Sequence, residues 1–326
     1  MIKNKLILVT GCYGFVAQHL IHNLLSNNNK VIGIYNKKYQ LKIFDNIKYI
    51  DKKKLIIKKI DIRDKKLLVN LFKKYKFDYC YHLAAISQVL TSNQGPEETF
   101  QINIFGTINL LESAKLYRPK IKFIFSSSDK AYGSSKKLPY KEDFPLNGLN
   151  PYDASKACAD IIARSYAKAF NLQVCVTRFV NIYGPGDVNW DRIIPGTIKS
   201  LINNKKPVLR SNGSFLRDYL FIDDVIEGYI KLGDGMRNNK INGLAINFGS
   251  GKPITVLNLV KKILKINNRS SKYYIIKDTV KNEIKDQYSG YKLAKEMINW
   301  KPKISLEEGL VKTYSWYQKR IKKNWN

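Results

Sequence analysis

Thr10-Gly11-Cys12-Tyr13-Gly14-Phe15-Val16-Ala17 follows the apolar run Leu6–Thr10 and opens a segment, Gly14–Ser26, whose apolar residues recur at helical spacing. A strand that passes through a glycine turn into a helix is the entry to a dinucleotide-binding βαβ unit. Gly11 permits the tight turn, and Gly14 lets the backbone approach a pyrophosphate at the helix N-terminus. Ala17 stands where a third small residue is needed for helix–strand packing. Tyr13, Phe15 and Val16 complete the turn. A simple glycine turn is the competing reading, and the alternation that follows argues against it.

Working outward, Val31–Tyr35 and Leu55–Ile60 read as strands, Lys65–Lys74 as a helix and Tyr79–Leu83 as a strand. Asn103–Leu116 reads as a helix, Lys122–Ser126 as a strand, Tyr152–Phe170 as a helix and Gln173–Arg178 as a sixth strand. Alternating strands and helices imply a Rossmann-type α/β fold, a doubly wound parallel sheet that binds ligands at the carboxyl ends of its strands. Residues 1–177 are expected to form the NAD(P)-binding domain, with returning segments near 219–250. Residues 178–326 are expected to form mainly a smaller, interleaved substrate-binding lobe. There, Ile193–Asn203 reads as a helix, Tyr219–Leu232 as a strand leading into another, and Ala245–Phe248 as a strand returning to the sheet. Thr255–Leu264 and Ser305–Lys319 read as amphipathic helices.

Ser128-Asp129-Lys130 and Tyr152-Asp153-Ala154-Ser155-Lys156 carry the chemistry. A tyrosine and a lysine four apart share a helix face. A cation at Lys156 can favour the tyrosinate of Tyr152 and lower its pKa. Such a phenolate takes the proton of a sugar hydroxyl while hydride leaves the same carbon, and Ser128 can hold that hydroxyl. Asp129 and Lys130 add an acid and a base beyond what a plain dehydrogenase needs. Their competing readings are a turn cap and a structural ion pair.

The chain carries 57 Lys and Arg against 26 Asp and Glu, a net charge of +31. Such a balance raises nucleic acid as a partner. The excess is spread along the chain, and only ten of the basic residues are arginine, so runs such as Lys52-Lys53-Lys54 and Lys322-Lys323 read as solvated faces. We expect no specific nucleic acid, no membrane and a cytoplasmic enzyme, since no apolar stretch approaches the roughly 20 residues of a span. Cys12, Cys80, Cys158 and Cys175 match no metal spacing and read as reduced thiols; His19, His22 and His82 read as packing or surface residues, and no metal is expected. The second strand ends Tyr35-Asn36-Lys37-Lys38 without the carboxylate that usually holds the NAD ribose, which leaves NAD and NADP both open. Asp61, followed by Ile62, is the candidate for the adenine amino group, with a surface turn as the alternative.

Together, Gly11 and Gly14, His82-Leu83-Ala84-Ala85, Asn103 with Gly106-Thr107, Ser128, and Tyr152 with Lys156 resemble the extended short-chain dehydrogenase/reductase family. Arg178 to Gly186, Arg217 to Val225 and the tail from Trp300 resemble its nucleotide-sugar branch. The resemblance implies cofactor contacts at Gly11, Tyr13, Gly14, Phe15, Val16, Asn36, Asp61, Ile62, Leu83, Ala84, Ala85, Tyr152 and Lys156. It implies substrate contacts at Ser87, Asn181, Arg192 and Arg217, with arginine forks suited to a diphosphate. It further implies a tightly held, recycled nicotinamide cofactor and a homodimer through a four-helix bundle built from the Asn103 and Tyr152 helices. Asp129-Lys130 resembles the CDP-glucose 4,6-dehydratases, with GDP-mannose a further possibility. The alternatives are a sugar 4-epimerase of UDP-glucose type, in which that pair stands by, and a non-catalytic Rossmann module bound to nucleic acid. Ala17, the missing carboxylate after the second strand, and Asn299 in place of a usual glycine depart from the family pattern.

Overall fold

The computed structural model describes residues 2–36, 52–238, 240–270, 273–276 and 283–321; Lys37, Lys38 and the Lys322-Lys323 run lie outside them. The chain opens with β1 (Leu6–Thr10), α1 (Phe15–Ser26), β2 (Lys30–Tyr35), β3 (Leu55–Lys59), α2 (Lys65–Lys74) and β4 (Tyr79–His82). Then come α3 (Val89–Gln94), α4 (Pro96–Phe100), α5 (Gly106–Tyr117), β5 (Lys122–Ser126), α6 (Pro151–Phe170) and β6 (Gln173–Phe179). The remainder comprises β7 (Asn181–Tyr183), α7 (Ile193–Ile202), β8 (Val208–Leu209), β9 (Leu216–Arg217), β10 (Tyr219–Phe221), α8 (Ile222–Gly235) and β11 (Ala245–Phe248). It closes with β12 (Ile254–Thr255), α9 (Val256–Ile266), β13 (Ile275–Ile276), α10 (Lys292–Ile298) and α11 (Leu306–Ile321).

Seven strands form one sheet in the order β3-β2-β1-β4-β5-β6-β11, and every adjacent pair is parallel. A parallel sheet is covered on both faces, so its strands read as unbroken apolar runs. Ile7, Leu8 and Val9 of β1 are wholly buried, as is every residue of β4. One face packs on α1, α8 and α10 and the other on α2, α5 and α6, while α9 and α11 pack on α7. The strand order reverses between β1 and β4, so the crevice outside their carboxyl ends is where a dinucleotide sits in such sheets.

Three expectations need adjustment. The helix read as starting at Asn103 begins earlier, because Pro96 opens α4 and a π turn at Gln101–Phe105 links it to α5. Tyr219–Leu232 is a short strand followed by a helix, not two strands. Its apolar residues Ile222, Val225, Ile226, Tyr229 and Leu232 follow the 3.6-residue period and are all buried. Asn299 caps α10 with φ +49°, a left-handed conformation that asparagine tolerates when glycine is absent.

Candidate active site

The β1–α1 turn is shaped for close backbone approach. Gly11 has φ +65°, and a Cβ there would lie 2.9 Å from the Cα of Ala84. The Gly14 N–H donates to the Gly11 carbonyl at 2.8 Å. The α1 N-terminus has neither a side-chain cap nor an acidic residue in its first turn, which leaves its positive end available to an anion. Tyr13 packs edge-on against Tyr35, ring centroids 4.9 Å apart, and Phe15 against His19 at 5.5 Å. Phe15 and Val16 are half-buried beside the turn.

A polar chain joins this turn to α6. The N–H groups of Leu83 and Ala84 donate to Thr10 Oγ1 at 3.1 and 3.0 Å, and Thr10 Oγ1 lies 2.8 Å from His82 Nδ1. With two donors already on the hydroxyl oxygen, its proton points to Nδ1, so His82 carries its own proton on Nε2 and donates to Thr107 Oγ1 at 2.9 Å. Burial drives the His82 pKa down to about 3. Thr107 donates on to the Asn103 carbonyl at 2.6 Å. Asn103 in turn exchanges hydrogen bonds with the backbone of Ile86, at 2.9 and 3.0 Å, and donates to Ser155 Oγ at 2.9 Å. Ser155 donates to the Tyr152 carbonyl at 2.7 Å. His82 is thus a packing residue, as expected, while Asn103 fixes the loop after β4 to the helix that carries Tyr152.

Ser128 follows β5, and its Oγ accepts from the Lys130 N–H and donates to Asp129 Oδ1, both at 3.2 Å. Tyr152 hydrogen-bonds to Ser128. Asp129 is 3% exposed, and its Oδ2 has no hydrogen-bond partner among the described residues. Burial raises its pKa to about 7, against the lowering effects of Lys130 and of the Ser128 bond. Lys130 Nζ donates to Gln287 Oε1 at 3.3 Å. The site therefore holds a carboxyl that keeps its proton in part near neutrality beside the Lys130 side chain, next to a Ser–Tyr pair.

The electrostatics of Tyr152 depart from expectation. Burial pushes its phenol up to about 12, while the Ser128 hydrogen bond and the Arg192 cation pull against that rise. Lys156 donates to the Ser126 carbonyl at 2.7 Å, and burial brings its own pKa down to about 8. Arg192 is a cation that favours the tyrosinate here. The deprotonated phenol is accordingly a minor form near neutrality.

The substrate candidates separate. Arg192 caps the start of α7, is 39% exposed and pairs with Asp187 at 3.1 Å. Asn181 lies on β7 and donates to the Asp218 carbonyl at 3.0 Å. Ser87 is exposed in the loop after β4. Arg217 does not present a free fork. Its Nη1 donates to the carbonyls of Leu216 and Lys285, both at 2.8 Å. Its Nη2 donates to Glu283 at 2.8 Å and to the Ile284 carbonyl at 2.6 Å. Ile62 turns its side chain into the core against Gly106. Asp61 accepts from Arg63 at 2.6 Å and from Asn36 at 2.7 Å. Two buried residues escaped the sequence reading. Asp153 keeps an unpartnered Oδ1 beside Tyr152, and the Gln287 amide lies in an irregular segment without a pattern to mark it.

The model of the family described as GDP-mannose 4,6 dehydratase matches residues 8–313. The chain belongs to this family. It falls within the extended short-chain dehydrogenase/reductases. A dTDP-D-glucose 4,6-dehydratase of Dictyostelium discoideum is 34% identical, over 96% of this chain and 81% of its own. Among solved structures, a dTDP-glucose 4,6-dehydratase of Streptomyces venezuelae with NAD bound superposes with a TM-score of 0.89 at 26% identity, covering 96% of this chain and 97% of its own. The UDP-glucose 4-epimerase of Thermotoga maritima with UDP-glucose gives 0.88 at 28% identity, covering 97% and 99%.

Proposed function

We propose that the protein is a nucleoside-diphosphate-hexose 4,6-dehydratase that recycles a nicotinamide dinucleotide. The supporting observation is Asp129, a buried carboxyl with a pKa near 7, set beside Lys130 and the Ser128–Tyr152 pair. Such a residue can give up a proton to a leaving group at neutral pH. A plain epimerase has no use for it.

The turn at Gly11 and Gly14, the open α1 N-terminus and the Leu83-Ala84-Ala85 loop fit a pyrophosphate. Tyr152 and Lys156 border the nicotinamide end, and Asn36 and Asp61 the adenosine end. NAD is the cofactor found in the Streptomyces relative, and we assign it here. When bound, it accepts a hydride from C4 of the sugar and later returns one to C6. Ser128 holds the C4 oxygen, and Tyr152 takes its proton. The C4 carbonyl acidifies the C5–H bond, and Lys130 is the group proposed to remove that proton. Protonated Asp129 donates to the C6 oxygen, the C6–O bond breaks, water leaves and a C5=C6 double bond remains. Lys130 then returns its proton to C5, leaving a 4-keto-6-deoxy sugar.

Arg192 and Asn181 are the groups proposed to meet the nucleotide and its phosphates, and Ser87 the hexose. Phe105, Leu116, Ile161 and Phe170 are each more than half exposed on or beside α5 and α6, which supports a homodimer through those helices. The Asp129-Lys130 pair favours CDP-glucose as substrate, whereas the Dictyostelium and Streptomyces relatives are dTDP-glucose 4,6-dehydratases. Incubation of purified protein and NAD with CDP-glucose, dTDP-glucose, GDP-mannose and UDP-glucose decides by product mass. Loss of one water is expected, from CDP-glucose first. The similarity to UDP-glucose 4-epimerase carries the second reading, which an unchanged mass with inverted C4 would select.

The reaction should also report Asp129 through pH. Its carboxyl must be protonated to act, so the elimination rate should fall as pH rises through about 7. Stability follows the same sign. The folded state holds this proton more tightly than the unfolded chain, so the Asp129 contribution declines as pH rises from the ordinary carboxylate range to about 7, and is level above it. A rate profile for elimination that is flat between about pH 6 and 8 would remove Asp129 from the acid role.

A further inference from the structure

Gln287 is 1% exposed, yet half of its amide has no partner among the described residues. Its backbone is held rigidly. The Gln287 N–H donates to the Leu216 carbonyl at 3.0 Å, and Gln287 bridges Arg217 on β9. Asp286 Oδ1 accepts from the Leu216 N–H at 3.0 Å. The Arg217 guanidinium grips the carbonyls of Ile284 and Lys285 just upstream. Arg217 thus works as a clamp on this segment, and the clamp sets the Gln287 side chain over Lys130.

The orientation of the amide follows from its partner. A lysine head always has N–H groups to give, charged or neutral, so the amide oxygen faces it. Oε1 accordingly accepts from Lys130 Nζ at 3.3 Å. Nε2 is then left with two donors and no acceptor among the described residues. A buried donor without a partner is unfavourable against an apolar side chain of the same shape. Its presence beside a functional amine points to an acceptor brought by the ligand.

We propose that Gln287 is a substrate-contacting residue whose Nε2 donates to the C6 oxygen of the hexose while its Oε1 aims the Lys130 amine. The inference rests on the dehydratase reading. Lys130 serves C5, and the oxygen on the neighbouring C6 is the one that departs. A donor there recognises the hydroxyl in the ground state and steadies the oxygen as its bond to carbon breaks. The N–H held by Oε1 also turns the Lys130 lone pair toward the sugar. Gln287 would therefore select hexoses that still carry a C6 hydroxyl.

Calorimetry on a Tyr152→Phe background, where ligand is not consumed, tests the contact. The probes are the nucleotide-linked glucose that the wild type dehydrates (CDP- or dTDP-glucose) and its 6-deoxyglucose counterpart. Gln287→Leu should weaken the glucose ligand about tenfold and leave the 6-deoxy ligand unchanged. Gln287→Met keeps the length of the side chain but has no amide donor, so it too should lose the discrimination. Equal weakening of both ligands, or none, would overturn the proposal. If either variant folds poorly by circular dichroism, the other decides. A wild type that removes water from no nucleotide hexose would fail the dehydratase reading itself, and the Gln287 proposal with it. An active wild type with undiminished discrimination in Gln287→Met would sink Gln287 alone.

Discussion

Lys130→Met should stop water loss and leave oxidation at C4 intact, so that mixing enzyme, NAD and the nucleotide hexose produces a lasting near-ultraviolet absorbance of reduced nicotinamide. Methionine keeps the length of the side chain and removes both its proton-accepting lone pair and its hydrogen bond to Gln287. The groups that serve C4 are untouched: Ser128 is held by the Lys130 backbone N–H, not by its side chain. Proton transfer by a positioned base contributes about 10²- to 10⁴-fold, and turnover to the deoxy sugar should fall by that order. The split is the informative part. A merely structural lysine would lower both stages together, because loss of packing around Asp129 would reach Ser128 and Tyr152 as well. Undiminished turnover would take Lys130 out of the chemistry and favour the epimerase reading.

Asp160→Ala should cost about 3–5 kcal/mol of stability, the usual consequence of breaking a buried ion pair from one side. Arg178 is wholly buried. Its Nε and Nη2 donate to the two Asp160 oxygens at 2.8 and 2.9 Å, and its Nη1 donates to the Tyr132 hydroxyl at 2.6 Å. Tyr132 donates on to Asn247 at 2.8 Å and stacks on Tyr140, ring centroids 4.7 Å apart. This group ties α6 to β6, to β11 and to the turn that carries Asp129 and Lys130. Removing the carboxylate leaves a guanidinium out of water with only neutral partners. Replacing both members, as in Asp160→Leu with Arg178→Met, should restore much of the loss, since a buried pair gains little over apolar residues of similar volume. Denaturant titration of the single and double variants beside the wild type measures both. A single variant within about 1 kcal/mol of wild type would contradict this account of the pair.

The Rossmann sheet was legible because its signals are local. The apolar run into Gly11 and the alternation through Gln173 each follow from periodicities of single elements. Asp129, Lys130 and Tyr152 could be singled out for the same reason, since the proposed chemistry rests on residue types at short spacing, and the structure brings them together. The failures share the opposite cause. Tyr219–Leu232 was misread because a short apolar stretch fits a strand as well as a helix. Arg217 looked like a phosphate fork because arginine types do not reveal what already binds them; its partners at 283–285 lie far along the chain. The Tyr152 pKa depends on burial and on Arg192, which approaches from another element. Gln287 reaches Lys130 only through tertiary placement, and no spacing rule brings the two together.

The most direct test of the central claim follows a single hydrogen. The nucleotide hexose is supplied with deuterium at C4, in ordinary water with unlabelled NAD, and the product is read by mass spectrometry and nuclear magnetic resonance. A dehydratase that recycles its cofactor should give a product lighter by one water, with the deuterium moved to C6. A product of unchanged mass with the deuterium still at C4 and the configuration there inverted would contradict the account and make the protein an epimerase.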